Sequence, residues 1–274
     1  MRNLIIRTCT GIAYVALIVA SLYFQTRFYT FSLIFALVTG VGLFEFYRIT
    51  NMSERVSVPT AWLIASGIVL YFCCFWYNYF GGTWPFIAYG LCLIATIISE
   101  LFRHSPQPNH NIAFAIMGQA LIALPFGFLN HIAPSASYDW HWCLSLFVLI
   151  WVSDTGAYLV GCSIGKHPLA PSISPKKTWE GLIGGAILTL AASGVIAWIT
   201  GESLVVWLIF GLLVEIFGTF GDLCESQLKR TVALKDSGKI MPGHGGVLDR
   251  FDSLLMTTPV IYIYLEILKT IGQL

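Results

Sequence analysis

Acids, bases, hydroxyls and glycines alternate closely between Gly221 and Asp252. Asp222, Ser226 and Lys229 fall at i, i+4 and i+7, so a helix through them carries a carboxylate, a hydroxyl and an amine on one face, with Arg230 flanking. Lys235-Asp236-Ser237-Gly238 and Pro242-Gly243-His244-Gly245-Gly246 follow. Their glycines let backbone approach a ligand closely or take positive φ, and such a loop can cradle phosphate oxygens. His244 is placed either to touch a phosphate or leaving group or to be a solvated loop histidine. Asp249 and Asp252, at i and i+3 around Arg250, open the last apolar run at a helix N-terminus. Paired aspartates with Lys, Arg and glycine loops suit phosphoryl or nucleotidyl transfer: carboxylates hold Mg²⁺ and cations neutralise charge on a triphosphate. Each residue alone would equally suit a solvated loop on anionic lipid heads; the combination points to transfer chemistry.

A second polar loop reads Ser172-Ile173-Ser174-Pro175-Lys176-Lys177-Thr178-Trp179-Glu180. Lys176 and Lys177 stand just before an apolar run, where the Ser174 and Thr178 hydroxyls and a helix N-terminus could join them around phosphate. Their plainer role is as charges anchoring the span at the membrane surface. Asp154 lies inside an apolar run, and an ionisable group at membrane depth is a candidate functional residue. Glu45, Glu100 and Glu215 are read as structural. Gly161 to His167 imitates a P-loop but is one residue short and has His where Ser or Thr would hold Mg²⁺.

These residues need a scaffold, and composition says which kind. The chain is 57% hydrophobic and 11% charged, with a mean hydropathy of +0.76, against roughly 25% charged in a soluble domain. Apolar runs at about 10–24, 28–47, 60–80, 84–102, 111–132, 142–162, 180–200, 203–220 and 254–271 predict nine transmembrane helices. Tight turns are expected at Gln25 to Arg27 and at Thr200 to Ser203. The first run, after Arg2 and Arg7, reads as an uncleaved span rather than a secretory signal. With a cytoplasmic N-terminus, thirteen of the fifteen Lys and Arg residues fall on the cytoplasmic side, leaving only Arg27 and Lys269 outside.

The reading is therefore an all-α integral membrane protein with a polar cytoplasmic active-site loop before the last helix. Residues 1–140 form about five spans, and 141–274 a catalytic region of about four spans with cytoplasmic loops 163–179 and 221–253. Trp84, Tyr138, Trp140, Trp142, Trp179 and Trp207 suit interfacial belts. Gly181 and Gly185 suit close helix packing within the bundle. The seven cysteines read as membrane-buried hydrophobes.

The segment Ser226 to Asp252, S-x-L-K-R-x4-K-D-S-G-x2-M-P-G-H-G-G-V-L-D-R-F-D, resembles the signature of phosphatidate cytidylyltransferases, the CDP-diacylglycerol synthases. Met241 stands where that family usually has Leu, Ile or Phe. Ser153 to Tyr158, Ser174 to Gly181, and Gly221-Asp222 are similar to its other shared blocks, so the resemblance covers about the last 125 residues. It implies that CTP and phosphatidate give CDP-diacylglycerol and pyrophosphate with Mg²⁺, a monovalent cation being a second candidate ion. Asp222 and Asp249 are then the principal metal ligands, with Asp154 and Asp252 contributing. Lys176, Lys177, Lys229, Arg230 and Lys235 neutralise the CTP phosphates and the lipid head. Arg250 supports the carboxylates, and Ser226 and His244 are secondary.

Phosphatidate is itself ionised near neutral pH, so such a reaction needs no protein nucleophile. The expected partners are the two substrates and the lipid bilayer, with no nucleic acid; the resemblance and the small-residue spans make a homodimer the candidate assembly. The compact length points to a bacterial inner membrane. A CTP-dependent lipid kinase, releasing CDP, is the alternative enzyme. A transporter would instead spread ionisable residues through several spans.

Overall fold

The computed structural model describes residues 2–135, 138–234, 236–238 and 245–273, with side chains from Gly11 onward. Among these, eight helical segments are long and apolar enough to cross a membrane, and Gly11–Tyr23 forms a shorter apolar helix. The chain is thus an all-α, multi-pass membrane protein. The helices are α1 (Arg2–Tyr23), α2 (Gln25–Phe28), α3 (Thr30–Thr50), α4 (Thr60–Phe80), α5 (Pro85–Phe102), α6 (Pro108–Gly118), α7 (Leu124–Ile132), α8 (Trp140–Ile164), α9 (Trp179–Thr200), α10 (Leu204–Thr231) and α11 (Leu248–Thr270). The turn expected at Thr200 to Ser203 is present, with Gly201 at φ 73° ending α9, whereas Gln25 to Arg27, expected as a tight turn, form the short helix α2, which Tyr29 ends at φ 53°.

Two compact units form, one from Met1–Trp140 with Thr231–Phe251 and the other from His141–Arg230 with Asp252–Leu274. In the first, Phe35 packs against Phe31, Phe126 and Phe251, with Tyr14 also on Phe251. Between α6 and α7 the chain widens into a π turn, Gln119–Ala123. Pro125, just beyond it, lacks an N–H and crowds the preceding turn, which a wider helix relieves. Side chains meet the polar atoms there. Tyr47 donates its hydroxyl to the Ala115 carbonyl at 2.8 Å, and Gln119 Nε2 donates to Tyr47 Oη at 3.0 Å and to the Leu63 carbonyl at 2.8 Å.

In the second unit, Gly181 and Gly185 let α9 lie against α8, since a Cβ on either would press on the Ala157 or Ser153 carbonyl. The small-residue pair is therefore used within the chain. A two-stranded antiparallel hairpin, β1 (Pro168–Ala170) and β2 (Ser174–Thr178), joins these helices. It departs from the all-helical expectation.

Trp84, Trp140 and Trp179 are exposed, as a belt requires, but Tyr138, Trp142 and Trp207 are buried. Trp142 and Trp207 stack at 4.5 Å between centroids, and Trp207 Nε1 donates to Glu202 at 2.8 Å. Their ring area is therefore spent on packing rather than on the membrane interface. Cys73, Cys74 and Cys143 are buried as expected, whereas Cys162 and Cys224 are exposed.

Tyr47→Phe removes the donor to Ala115 and a partner of Gln119. It is expected to cost about 1–3 kcal/mol, read as a lowered thermal midpoint in detergent; an unchanged midpoint would mean the π turn does not depend on this hydroxyl.

Candidate active site

Asp222 lies on α10, one turn before Ser226, whose Oγ donates to Asp222 Oδ1 at 3.2 Å. Lys177 Nζ, from β2, meets Asp222 Oδ2 at 2.6 Å, both side chains being under one-third exposed. Gly221 brings α10 against the backbone of α11 at Asp252, where a Cβ would run into the Asp252 carbonyl. Asp252 in turn feels the charges of Asp222, Asp154 and Lys177. The second unit therefore holds three of the four expected aspartates, with Asp252 in electrostatic range of the other two and of Lys177. Among the described residues no three His, Cys, Asp or Glu side chains form a group that could by itself hold a metal ion.

The hairpin that presents Lys177 is tied at both ends. At its base, Thr178 caps α9 by accepting from Gly181 N at 3.1 Å. Glu180 accepts from the Lys166 and His167 backbone at 3.1 and 3.2 Å, and from the His167 ring at 2.5 Å. Near its tip, Arg230 Nε donates to the Ile173 carbonyl at 3.2 Å. Arg230 thus contributes to hairpin placement. Ser174 is half-buried and Lys176 exposed on the same strand. Lys229 is buried, and its ammonium pairs with Glu225 at 2.5 Å. The sequence reading assigned no role to Glu225; its i, i+4 spacing from Lys229 was the available signal.

Asp249 belongs to the first unit. Its Oδ2 accepts from Ser237 N at 2.9 Å, Ser237 Oγ at 3.0 Å and Gly246 N at 2.8 Å, which closes the loop just before α11. Arg250, next to it, is exposed. Glu45 of α3, read from sequence as structural, accepts from Val247 N, Leu248 N and Ser237 Oγ. Lys235 and His244 lie outside the described residues.

The Cytidylyltransferase family model matches residues 5–268. Over 155 residues the chain is 43% identical to a phosphatidate cytidylyltransferase of Staphylococcus aureus (strain COL) and 44% identical to one of Staphylococcus haemolyticus. It is 39% identical to one of Staphylococcus epidermidis over the same length. In each case the matched stretch is 56% of this chain and 58% of the relative, so the chain spans somewhat more than half the length of the curated relatives it matches. With a family match running from the first helix to the last and the Asp222–Lys177 site inside it, the chain belongs to the cytidylyltransferase family.

Proposed function

We propose that the chain transfers the cytidylyl group of CTP to phosphatidate, giving CDP-diacylglycerol and pyrophosphate. The observation that carries this reading is the Lys177–Asp222 ion pair with Asp154 and Asp252 in electrostatic range. The activity printed for the relatives agrees with it.

In this reaction a phosphatidate oxygen attacks the α-phosphorus of CTP, a new P–O bond forms, and the bond to the β-phosphate oxygen breaks in line to release pyrophosphate. The protein's contribution is placement and charge neutralisation. Lys177 is poised to exchange its carboxylate partner for a phosphate oxygen, because the partial exposure of the pair lets water cover the exchange. Lys176, exposed on the same strand, adds positive charge for the lipid head or the nucleotide, and Ser226 holds the Asp222 carboxylate in orientation.

The donor set fits Mg²⁺. That ion favours oxygen, takes one or two carboxylates, and completes its octahedron with phosphates and water, so it does not need three converging side chains. Asp222 would lead, with Asp252 and Asp154 beside it. Mg²⁺ would supply neutralisation of charge on the triphosphate. The concentration of Lys and Arg in alternate loops supports a site facing the cytoplasm, where CTP arrives from water and phosphatidate from the bilayer.

Protein incubated with α-labelled CTP, phosphatidate and Mg²⁺ is expected to place label in the lipid fraction, and Asp222→Asn to lower that rate about 100-fold or more. Label reaching lipid only from γ-labelled CTP would identify a lipid kinase instead. Lys177→Met is expected to slow transfer by about 100-fold, with Lys177→Arg retaining more of it; equal activity of all three would remove Lys177 from the site. For orientation, a cysteine-free chain carrying Lys176→Cys should react with an impermeant maleimide only after cells are opened. Reaction in intact cells would reverse the assignment.

A further inference from the structure

Glu45 is a carboxylate at the end of an apolar helix, and it is 1% exposed. Burial of a carboxylate there costs free energy that an apolar residue would not, unless donors meet it. Three do. Oε1 accepts from Val247 N at 3.1 Å; Oε2 accepts from Leu248 N at 2.9 Å and from Ser237 Oγ at 3.0 Å. Leu248 is the first residue of α11, so these backbone donors include ones that a helix start leaves without intrahelical partners. One turn further along α3, Arg48 Nη2 donates to the Ser237 carbonyl at 3.1 Å.

α3 therefore grips the chain at Ser237 and again at Val247 and Leu248, immediately before Asp249. Ser237 is shared: its hydroxyl lies 3.0 Å from Glu45 Oε2 and 3.0 Å from Asp249 Oδ2, and its single hydrogen serves one carboxylate at a time. Ser237 N and Gly246 N, also on Asp249 Oδ2, hold that carboxylate while the hydroxyl faces Glu45. Gly246 has to lack a side chain, since a Cβ would meet both Ser237 Oγ and the Glu45 carboxylate.

We propose that Glu45 is a positioning residue for the proposed transfer reaction: acting through Ser237 and the first amides of α11, it sets the orientation of Asp249 and Arg250. This rests on the function reading above. The geometry is more specific than packing alone requires, because both oxygens of one buried carboxylate are spent on Ser237 and on the first amides of α11, immediately before Asp249, an aspartate of the sequence signature.

The test compares wild type, Glu45→Gln, Ser237→Ala, the double variant and Glu45→Asp by steady-state transfer, and by amide hydrogen exchange over residues 245–249. Glutamine keeps the size but turns an NH₂ toward donors. Turnover is expected to fall about 100-fold, as for a displaced site group, with the CTP KM within about twofold of wild type and the amides of Val247 and Leu248 exchanging at least about tenfold faster. The double variant should be no slower than the slower single variant, and Glu45→Asp should recover part of the turnover. Wild-type turnover and exchange in Glu45→Gln, or losses that multiply in the double variant, would overturn the proposal. If Glu45→Gln does not fold, Ser237→Ala carries the test: it must slow turnover at unchanged KM, and a wild-type rate overturns the proposal. Absence of transfer by wild type would defeat the function reading instead, and the exchange comparison would still decide whether Glu45 orders the start of α11.

Discussion

Charge among apolar helices has to be matched by charge or by donors, since lipid offers neither. α10 meets this requirement in two ways. Lys229 and Glu225 form a pair whose side chains are 10% and 2% exposed, so either charge left alone would be stranded; removal of one partner from such a pair costs about 3–5 kcal/mol. Lys177 and Asp222 are matched just as closely but are 29% and 28% exposed, where water can cover a change of partner. The same chemistry thus divides into a buried bridge and a water-accessible one. Lys229 braces α10, and Lys177 is the cation that the proposed transfer reaction would use.

The hairpin holds Lys177 beside Asp222. A lysine on a free loop would lose rotamer and backbone entropy each time it met Asp222. β2 removes much of that cost by fixing the backbone between the Thr178 cap and the Arg230 contact at Ile173. Arg230 spends one N–H on this, which makes it part of the support whatever its remaining donors do. Glu180 fulfils the complementary task at the other end by gathering the Lys166 and His167 amides.

The helices were legible because an apolar run of span length has few other uses, and the observed segments follow the runs closely. The Asp222, Ser226 and Lys229 face was legible from helical spacing alone. Other features depend on partners far along the chain. The β1–β2 hairpin reads as a polar loop because its ties come from Glu180 and Arg230. The Trp142–Trp207 stack looks like two interfacial residues because each sits at the end of its own run. Glu45 was visible only as an isolated acid in α3; its donors lie about 200 positions away, and backbone amides carry no residue-type signal.

Asp249 and Asp252 make the same point within a single helical turn. Their i, i+3 spacing says that they share a face, and from sequence they appear as one pair with one task. In the structure Asp249 Oδ2 accepts from Ser237 and Gly246 and so orders the backbone before α11. The charges that act on Asp252 are Asp222, Asp154 and Lys177. One carboxylate orders the backbone before α11, and the other lies in the field of two further aspartates and a lysine. Since the grip on that backbone comes from α3, a span more than 180 positions upstream contributes directly to the geometry of the most recognisable motif in the chain.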